Sequence, residues 1–414
     1  MTKNTYIRQR MGDITEKIFS GGTPNTRRPE YWNGDLMWLS SGETCQPYIT
    51  RTKRAITQEG VKNSSTRLAK KNDVVIASAG QGNTRGQTSY LKEDMYINQS
   101  VISLRANSNL LDSLYLYYNI SSRYKELRAL SEGNSIRGSL TTKIIGDLEI
   151  SLPPLPEQKR ISSILSSFDN KIEQLKKENN ILEDIAQNIF KEWFVKYNFP
   201  NKDGKPYKDN NGKMIDSELG EIPEGWRVGK LEDLVEIKNG FAFKSEDYRD
   251  SGYPIIRTMN FEDTGYINNQ SLVYISEQEA EGYKNFNLNE FDLCVVMVGA
   301  SLGKTALVTR SNLPALQNQN MWSFKPKKEE IRFYNNLFLQ ELVKQNLRSA
   351  SGSAREFFRK DYFYNVDVII PSDTTILNFD RKVKPIFQNL SNNLQMINTL
   401  SNIKKSLLSI LIVL

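Results

Sequence analysis

Beyond Pro156 the chain runs to residue 197 without glycine or proline, and apolar side chains recur there every three or four positions. The recurring positions are Ile161, Leu165, Phe168, Ile172, Leu175, Asn179, Leu182, Ala186, Ile189 and Trp193, a heptad seam with one polar member. A second seam closes the sequence at Phe379, Val383, Ile386, Leu390, Asn393, Ile397, Leu400, Lys404, Leu407, Leu411 and Leu414. The two coincide position for position at an offset of 218. Each predicts a helix on the order of 60 Å long. Two such seams can bury against each other as an antiparallel coiled coil, with Asn179 opposite Asn393 fixing the register. The plainer alternative is that each helix packs on its own globular domain.

The offset extends beyond the helices. DVVIASAG at 73–80 returns as DLCVVMVG at 292–299, NQSVISL at 98–104 as NQNMWSF at 318–324, and GDI at 12–14 as GKL at 229–231. GNS at 133–135 becomes GSA at 352–354, followed in both copies by an apolar run that ends in Pro153 or Pro371. Short β-branched runs at 74–77, 101–104, 148–152, 293–298 and 366–370, bounded by Asp, Gly, Asn or Pro, predict strands. The spacing at 114–130 and 331–347 predicts packed helices. The chain is therefore a duplicated mixed α/β unit: a β-rich domain at 1–154, a helix at 155–197, a linker at 198–228, a second domain at 229–374 and a second helix at 375–414. Two copies with paired helices imply pseudo-two-fold symmetry.

Composition narrows the chemistry. The 414 residues contain no histidine, where ordinary usage predicts roughly eight. Histidine relays, HExxH zinc sites and histidine-based metal triads are thereby excluded. Cys45 and Cys294 stand far apart, without a CxxC pair. Unpaired cysteines, an opening without a signal peptide and no membrane-length apolar run predict a soluble cytoplasmic protein. The closing LLSILIVL reads as the end of a buried helix. The net charge of +7 is uneven: +7 over 1–154, zero over 155–197, −4 over 198–374 and +4 over 375–414. A basic total suits a polyanionic partner, but the acidic second domain makes charge alone indecisive.

Three apparent catalytic motifs fail on inspection. GASLGKT at 299–305 ends like a phosphate-binding loop but has three residues between its glycines instead of four, and GQGNTRG at 80–86 has no Gly-Lys-Thr. Glu236-Ile-Lys238 matches half of a nuclease site, at a frequency expected by chance. The Pro153-Pro154 pair lacks the Asn or Asp and the aromatic residue of a methyltransferase loop.

The segment GGTPNTRRPEYWNGDLMWLSSGE at 21–43, followed by Gly-x-Gly, Asn-Gln and LPPLPEQKRISSIL at 152–165, resembles the DNA-specificity subunits of type I restriction–modification systems. DSELGEIPEGWRVGKLEDL at 216–234 resembles that family's entry into its second domain. The second copy departs from the pattern, with KNGFAF at 238–243 for GGTP and PSDTT at 371–375 for the second motif. The resemblance covers the whole chain. It implies two target-recognition domains and two spacer helices in a non-catalytic chain that reads a split site on double-stranded DNA. It further implies two methyltransferase subunits docked on the helices, and motor-nuclease subunits held through them. S-adenosylmethionine, ATP and magnesium are then expected only in those partners. The rival expectation is an assembly scaffold that binds no DNA, which the acidic second domain favours.

DNA readout needs Arg or Lys for guanine and phosphate, and Asn or Gln for adenine. In the first copy such loop residues are Arg27, Arg28, Arg51, Lys53, Arg54, Gln81, Asn83, Arg85, Gln87, Asn134 and Arg137. In the second they are Lys244, Arg257, Asn260, Ser301, Lys304, Arg355, Arg359 and Lys360. At the repeat offset Arg85 matches Lys304, which predicts a shared phosphate contact. Tyr31, Trp32 and Trp38 suit base stacking or, more commonly in a β-rich domain, packing.

Overall fold

The computed structural model describes residues 6–132, 138–349 and 359–412. The chain divides into two compact units, one of Met1–Lys171 with Leu400–Leu414 and the other of Ile172–Thr399.

In the first unit, Ile7–Arg10 pairs antiparallel with Glu149–Leu152 and closes the domain. Within it a five-stranded sheet has the order Thr15–Ser20, Val101–Ala106, Val74–Ala77, Thr88–Leu91, Tyr48–Ile49. Val74–Ala77 and the first four residues of Val101–Ala106 are wholly buried, which is why they read as continuous apolar runs. A second sheet runs Arg54–Ile56, Trp32–Leu39, Met95–Ile97, Arg67–Ala69. Trp32–Leu39 lies parallel to Met95–Ile97 in that sheet. The single helix expected over 114–130 is two, Ser113–Ser122 and Tyr124–Glu132. The break falls at Arg123, whose guanidinium donates to the Glu149 carbonyl at 2.8 Å and pairs with Glu126.

The second unit repeats this topology by itself. Arg227–Lys230 pairs antiparallel with Asp367–Ile370. Its main sheet runs Val235–Asn239, Met321–Pro326, Leu293–Val296, Thr305–Leu307. The smaller sheet runs Val273–Ile275, Tyr253–Ile256, Leu316–Gln317, again with one parallel pair. The stretch read as a linker is ordered: Met214–Ile215 pairs with Ile222–Pro223, and Phe199 stacks between Tyr207 (4.6 Å) and Trp226 (5.1 Å).

The long helices are Leu155–Phe190 and Asp373–Leu411, about 54 and 59 Å at 1.5 Å per residue. A π-helical turn, Lys191–Val195, extends the first, and the second carries Pro385 in its interior. In the second unit the helices run antiparallel: Asn393 Nδ2 donates to Asn179 Oδ1 at 2.9 Å, and Phe190 meets Phe379 at 6.4 Å. In the first unit Lys404 pairs with Asp169. The seams also belong to the domain cores. Ile161, Leu165 and Ile412 cluster with Tyr115 and Tyr118, while Ala186, Phe379, Val383 and Phe387 cluster with Phe333 and Tyr334. Helix pairing and packing on a globular domain, set as alternatives by the sequence, occur together. At the carboxy end Ile412 is buried, Ile410 is exposed, and Leu414 lies outside the described residues.

The LPPLPEQ segment has a structural task. Gln158 is buried, donates to the carbonyls of Leu110 and Pro153 (both 2.9 Å) and accepts from the Asp112 amide (2.8 Å). It ties the start of the first long helix to the loop ahead of Ser113–Ser122. In the second copy Ser372 and Thr375 bond at 2.8 Å at the corresponding helix start, a local cap in place of the long-range tie.

Candidate nucleic-acid interface

The GGTP segment leaves the strand Thr15–Ser20 and crosses the end of Met95–Ile97 at close range. Gly21 N donates to Asn98 O (3.2 Å) and Gly22 N to Ile97 O (3.1 Å). A Cβ on Gly21 would stand 1.8 Å from the Ile97 carbonyl oxygen, and one on Gly22 2.1 Å from Ser65 Oγ. Only glycine permits this approach. Two tryptophans then clamp the loop: Trp38 Nε1 donates to Gly22 O and Trp32 Nε1 to Asn25 O, both at 3.2 Å. The two indoles meet edge to face at 5.1 Å. Both are buried, so they pack and hold the loop rather than stack on bases, whereas Tyr31 is half-buried beside them.

Arg54 lies over this pair, with its guanidinium carbon 3.6 Å from the Trp32 ring centre and 5.5 Å from that of Trp38. The side chain is exposed yet held, which lowers the entropy lost when its planar fork engages a partner. Thr23 bonds to Gln99, an exposed amide at the turn after Met95–Ile97. The 78–87 loop belongs to the same strand ends, because Ser78 N donates to Ser100 O at 2.9 Å. Tyr124 and Arg128 hold its tip through the carbonyls of Asn83 and Gly82, both at 2.9 Å. One rim of the first domain thus gathers Arg54, Gln99 and exposed Gln81 and Asn83 around the glycine loop. Arg27, Arg28, Arg51 and Lys53 are exposed on the loops adjoining it.

Other expected positions are used differently. Arg85 is buried and pairs with Glu132 at 3.4 Å, so a direct phosphate contact from it is not supported. Nor does it match Lys304. Gly86 N donates to Ala77 O just as Gly303 N donates to Val296 O, and Thr88 pairs with Ile76 as Thr305 pairs with Val295. The first loop is two residues longer, and half-buried Gln87 is the residue equivalent to Lys304. Lys304 itself pairs with Asp263 at 2.8 Å. Asn260 is fully buried; it accepts from the Arg257 amide (2.8 Å) and donates to Ser271 O (3.1 Å), which makes it a turn cap and not a base reader.

Among the remaining residues, Arg257 donates to Ser271 O at 3.2 Å, Lys244 pairs with Glu246 at 3.3 Å and Arg359 with Asp361 at 2.9 Å. Lys360 donates to Ile237 O at 2.8 Å, and burial beside Lys238 lowers its ammonium below the usual lysine range. Ser301 is exposed on its loop. Asn134, Arg137 and Arg355 lie outside the described residues. The sequence reading passed over Gln99, Gln319 and Asn320 as readers, although all three are exposed at hairpin turns. The repeated Asn-Gln pair was the available signal.

The nuclease-like triplet resolves as surface structure. Glu236 and Lys238 pair with each other on one exposed strand face. Among the described residues no cluster of carboxylates and thiols could hold a metal ion, and no helix is long and apolar enough to cross a membrane. Cys294 is fully buried, which pushes its thiol far up, while Cys45 is exposed.

Comparison with known proteins adds an independent line. The family model described as Type I restriction modification DNA specificity domain matches residues 7–184 and 223–405. The chain is 27% identical over 416 residues to the type I restriction enzyme MjaIX specificity subunit of Methanocaldococcus jannaschii, covering 97% of this chain and 91% of that protein. It is 24% identical over 390 residues to the HindI specificity subunit of Haemophilus influenzae, covering 79% and 83%. The crystal structure of a type I restriction–modification S subunit from M. genitalium shares the fold, with a TM-score of 0.61 and 16% identity over 100% of this chain and 97% of that one.

Proposed function

The chain belongs to the type I restriction–modification DNA-specificity family, and from that premise we propose that each of its domains reads one half of a bipartite DNA site with the rim just described. The observation that carries the reading is Arg54 set over the Trp32 ring at 3.6 Å, beside the glycine loop. A guanidinium fixed by its face leaves its donor edge free for guanine O6 and N7 in the major groove. Exposed Arg27, Arg51 and Lys53 supply phosphate contacts that set the register of the domain on the duplex. Reading is equilibrium recognition and needs no reacting group in this chain; methylation and cleavage belong to the partners.

Those partners are two methyltransferase subunits, with the motor-nuclease subunits held through them, acting on DNA in the cytoplasm. The long helices offer apolar side chains on their outer faces for docking: Ile181 and Ile185 in the second unit, Ile403 and Ile410 in the first. The i, i+4 and i, i+7 spacings place each pair along one stripe of its helix.

The test is a mobility-shift assay of the chain with its methyltransferase partner. The charge-reversed variant Arg51→Glu/Lys53→Glu/Arg54→Glu should assemble normally yet lose the sequence-dependent shift. Wild-type affinity should fall steeply with salt. A variant that still directs methylation to the same site would refute the assignment of the rim.

A further inference from the structure

In the second domain two large apolar side chains stand in solvent at the corresponding rim, Met259 (65% exposed) and Val298 (53%). Met259 lies in the turn Thr258–Asn260 after the strand Tyr253–Ile256, and Val298 follows the strand Leu293–Val296. Both segments are bonded to one hairpin tip: Asn318 N donates to Ile256 O at 3.1 Å and Met297 N to Asn320 O at 2.9 Å. Gln319 and Asn320 are exposed on that tip.

The first domain has no apolar bulk at the equivalent places. Asn98 N donates to Leu39 O as Asn318 N does to Ile256 O, and the turns Ser41–Glu43 and Thr258–Asn260 are capped alike, so Gly42 answers to Met259. Ser78 N donates to Ser100 O as Met297 N does to Asn320 O, so Ala79 answers to Val298. The two rims also differ in charge. Exposed Arg54 caps the first, whereas in the second Lys304, Lys244 and Arg359 are each ion-paired and Arg257 is half-buried beside the Tyr248 ring, donating to Ser271 O.

A single exposed apolar residue needs no explanation. Two on one rim, beside two exposed amides and facing away from the core, match a particular surface. In the major groove thymine presents a 5-methyl group, and its partner adenine presents the N6 and N7 edge that an amide fits. We propose that Met259 and Val298 contact thymine 5-methyl groups in the half-site of the second domain. This rests on the rim's being the DNA-reading surface, as proposed above.

The test uses the complete complex with its methyltransferase partner. The target is obtained by mapping methylated bases in cells that carry the system. Duplexes with deoxyuridine in place of thymine, one half-site at a time, then compete with the natural target. The expected result is about fourfold weaker binding per contacted methyl group in one half-site only. The Met259→Ala/Val298→Ala complex should bind thymine and deoxyuridine duplexes alike; both residues are exposed, so the fold is not at stake. Equal binding of both duplexes by the wild type overturns the inference while leaving DNA reading intact. So does discrimination that survives in the variant. Loss of methyltransferase subunits from the variant with discrimination retained would assign the pair to a protein contact and overturn it as well. Absence of any sequence-dependent binding would instead remove the reading surface on which the inference stands.

Discussion

Lys404 is the one charged member of either seam, and in the first unit it meets Asp169 with side-chain exposures of 17% and 10%. Asp169 Oδ2 also lies 2.7 Å from the Tyr118 hydroxyl and 2.9 Å from that of Tyr48, and the two hydroxyls are 2.9 Å apart, a triangle in which the two phenol protons make two of the three bonds at a time. Burial and the Asp169 charge push both hydroxyls upward, so they stay donors across the working pH range. Replacing Lys404 by methionine keeps the stem but leaves a carboxylate held by two phenols alone. Breaking a buried pair costs about 3–5 kcal/mol, and the residual access of solvent to Lys404 puts this case near 3. Asp169→Asn should cost a similar amount by stranding the ammonium. The double variant Asp169→Asn/Lys404→Met should cost about 3 kcal/mol, no more than either single change, where additivity would give about 6, for a coupling of about 3 kcal/mol. Native-state hydrogen exchange suits the measurement, because it resolves amides of residues 161–169 and 400–411 without assuming that the whole chain unfolds in one step. Single effects below about 0.5 kcal/mol, or additive effects in the double variant, would refute the reasoning.

Gln158→Ala should destabilise the first unit by about 2 kcal/mol, since it strands the Asp112 amide and two carbonyls, and native-state hydrogen exchange of the amides in Ser113–Ser122 would show it as faster exchange. Glu183 accepts from the Tyr266 hydroxyl, and burial together with neighbouring Asp184 raises its carboxyl to about 7. The folded state therefore holds a proton that the unfolded chain releases near pH 4.5, so this group's contribution to stability falls as pH rises from about 4.5 to 7 and is level above that. Glu183→Gln should flatten that segment of the thermal stability profile, and an unchanged slope between pH 5 and 7 would refute the assignment.

Asp169 and Lys404 show how differently the two copies use one frame. At the repeat offset they correspond to Phe387 and Ala186, which in the second unit are buried in an apolar cluster where Phe387 stacks on Phe333 at 4.6 Å. A polar lock in one copy and an aromatic one in the other fill the same kind of space. Backbone pattern survives such exchanges because it depends on which positions are buried, whereas side-chain chemistry depends on what happens to lie opposite.

Periodicity and self-similarity were enough to establish the duplication, the strands, the two long helices and the Asn179–Asn393 juxtaposition as an expectation, because helix and strand periods are local properties of the chain. The segments GGTP and LP..EQ carried the family resemblance for related reasons: one needs glycine where backbones nearly touch, the other a glutamine that satisfies three backbone groups at once. Tertiary structure alone decided which loop cations face solvent. Arg54 and Arg85 are alike in sequence, yet one lies open on a tryptophan and the other is buried against Glu132. A two-residue difference in loop length moved the partner of Lys304 from Arg85 to Gln87, which no constant offset could show. Burial of a polar side chain is set by contacts distant in sequence, and only the folded chain brings those contacts together.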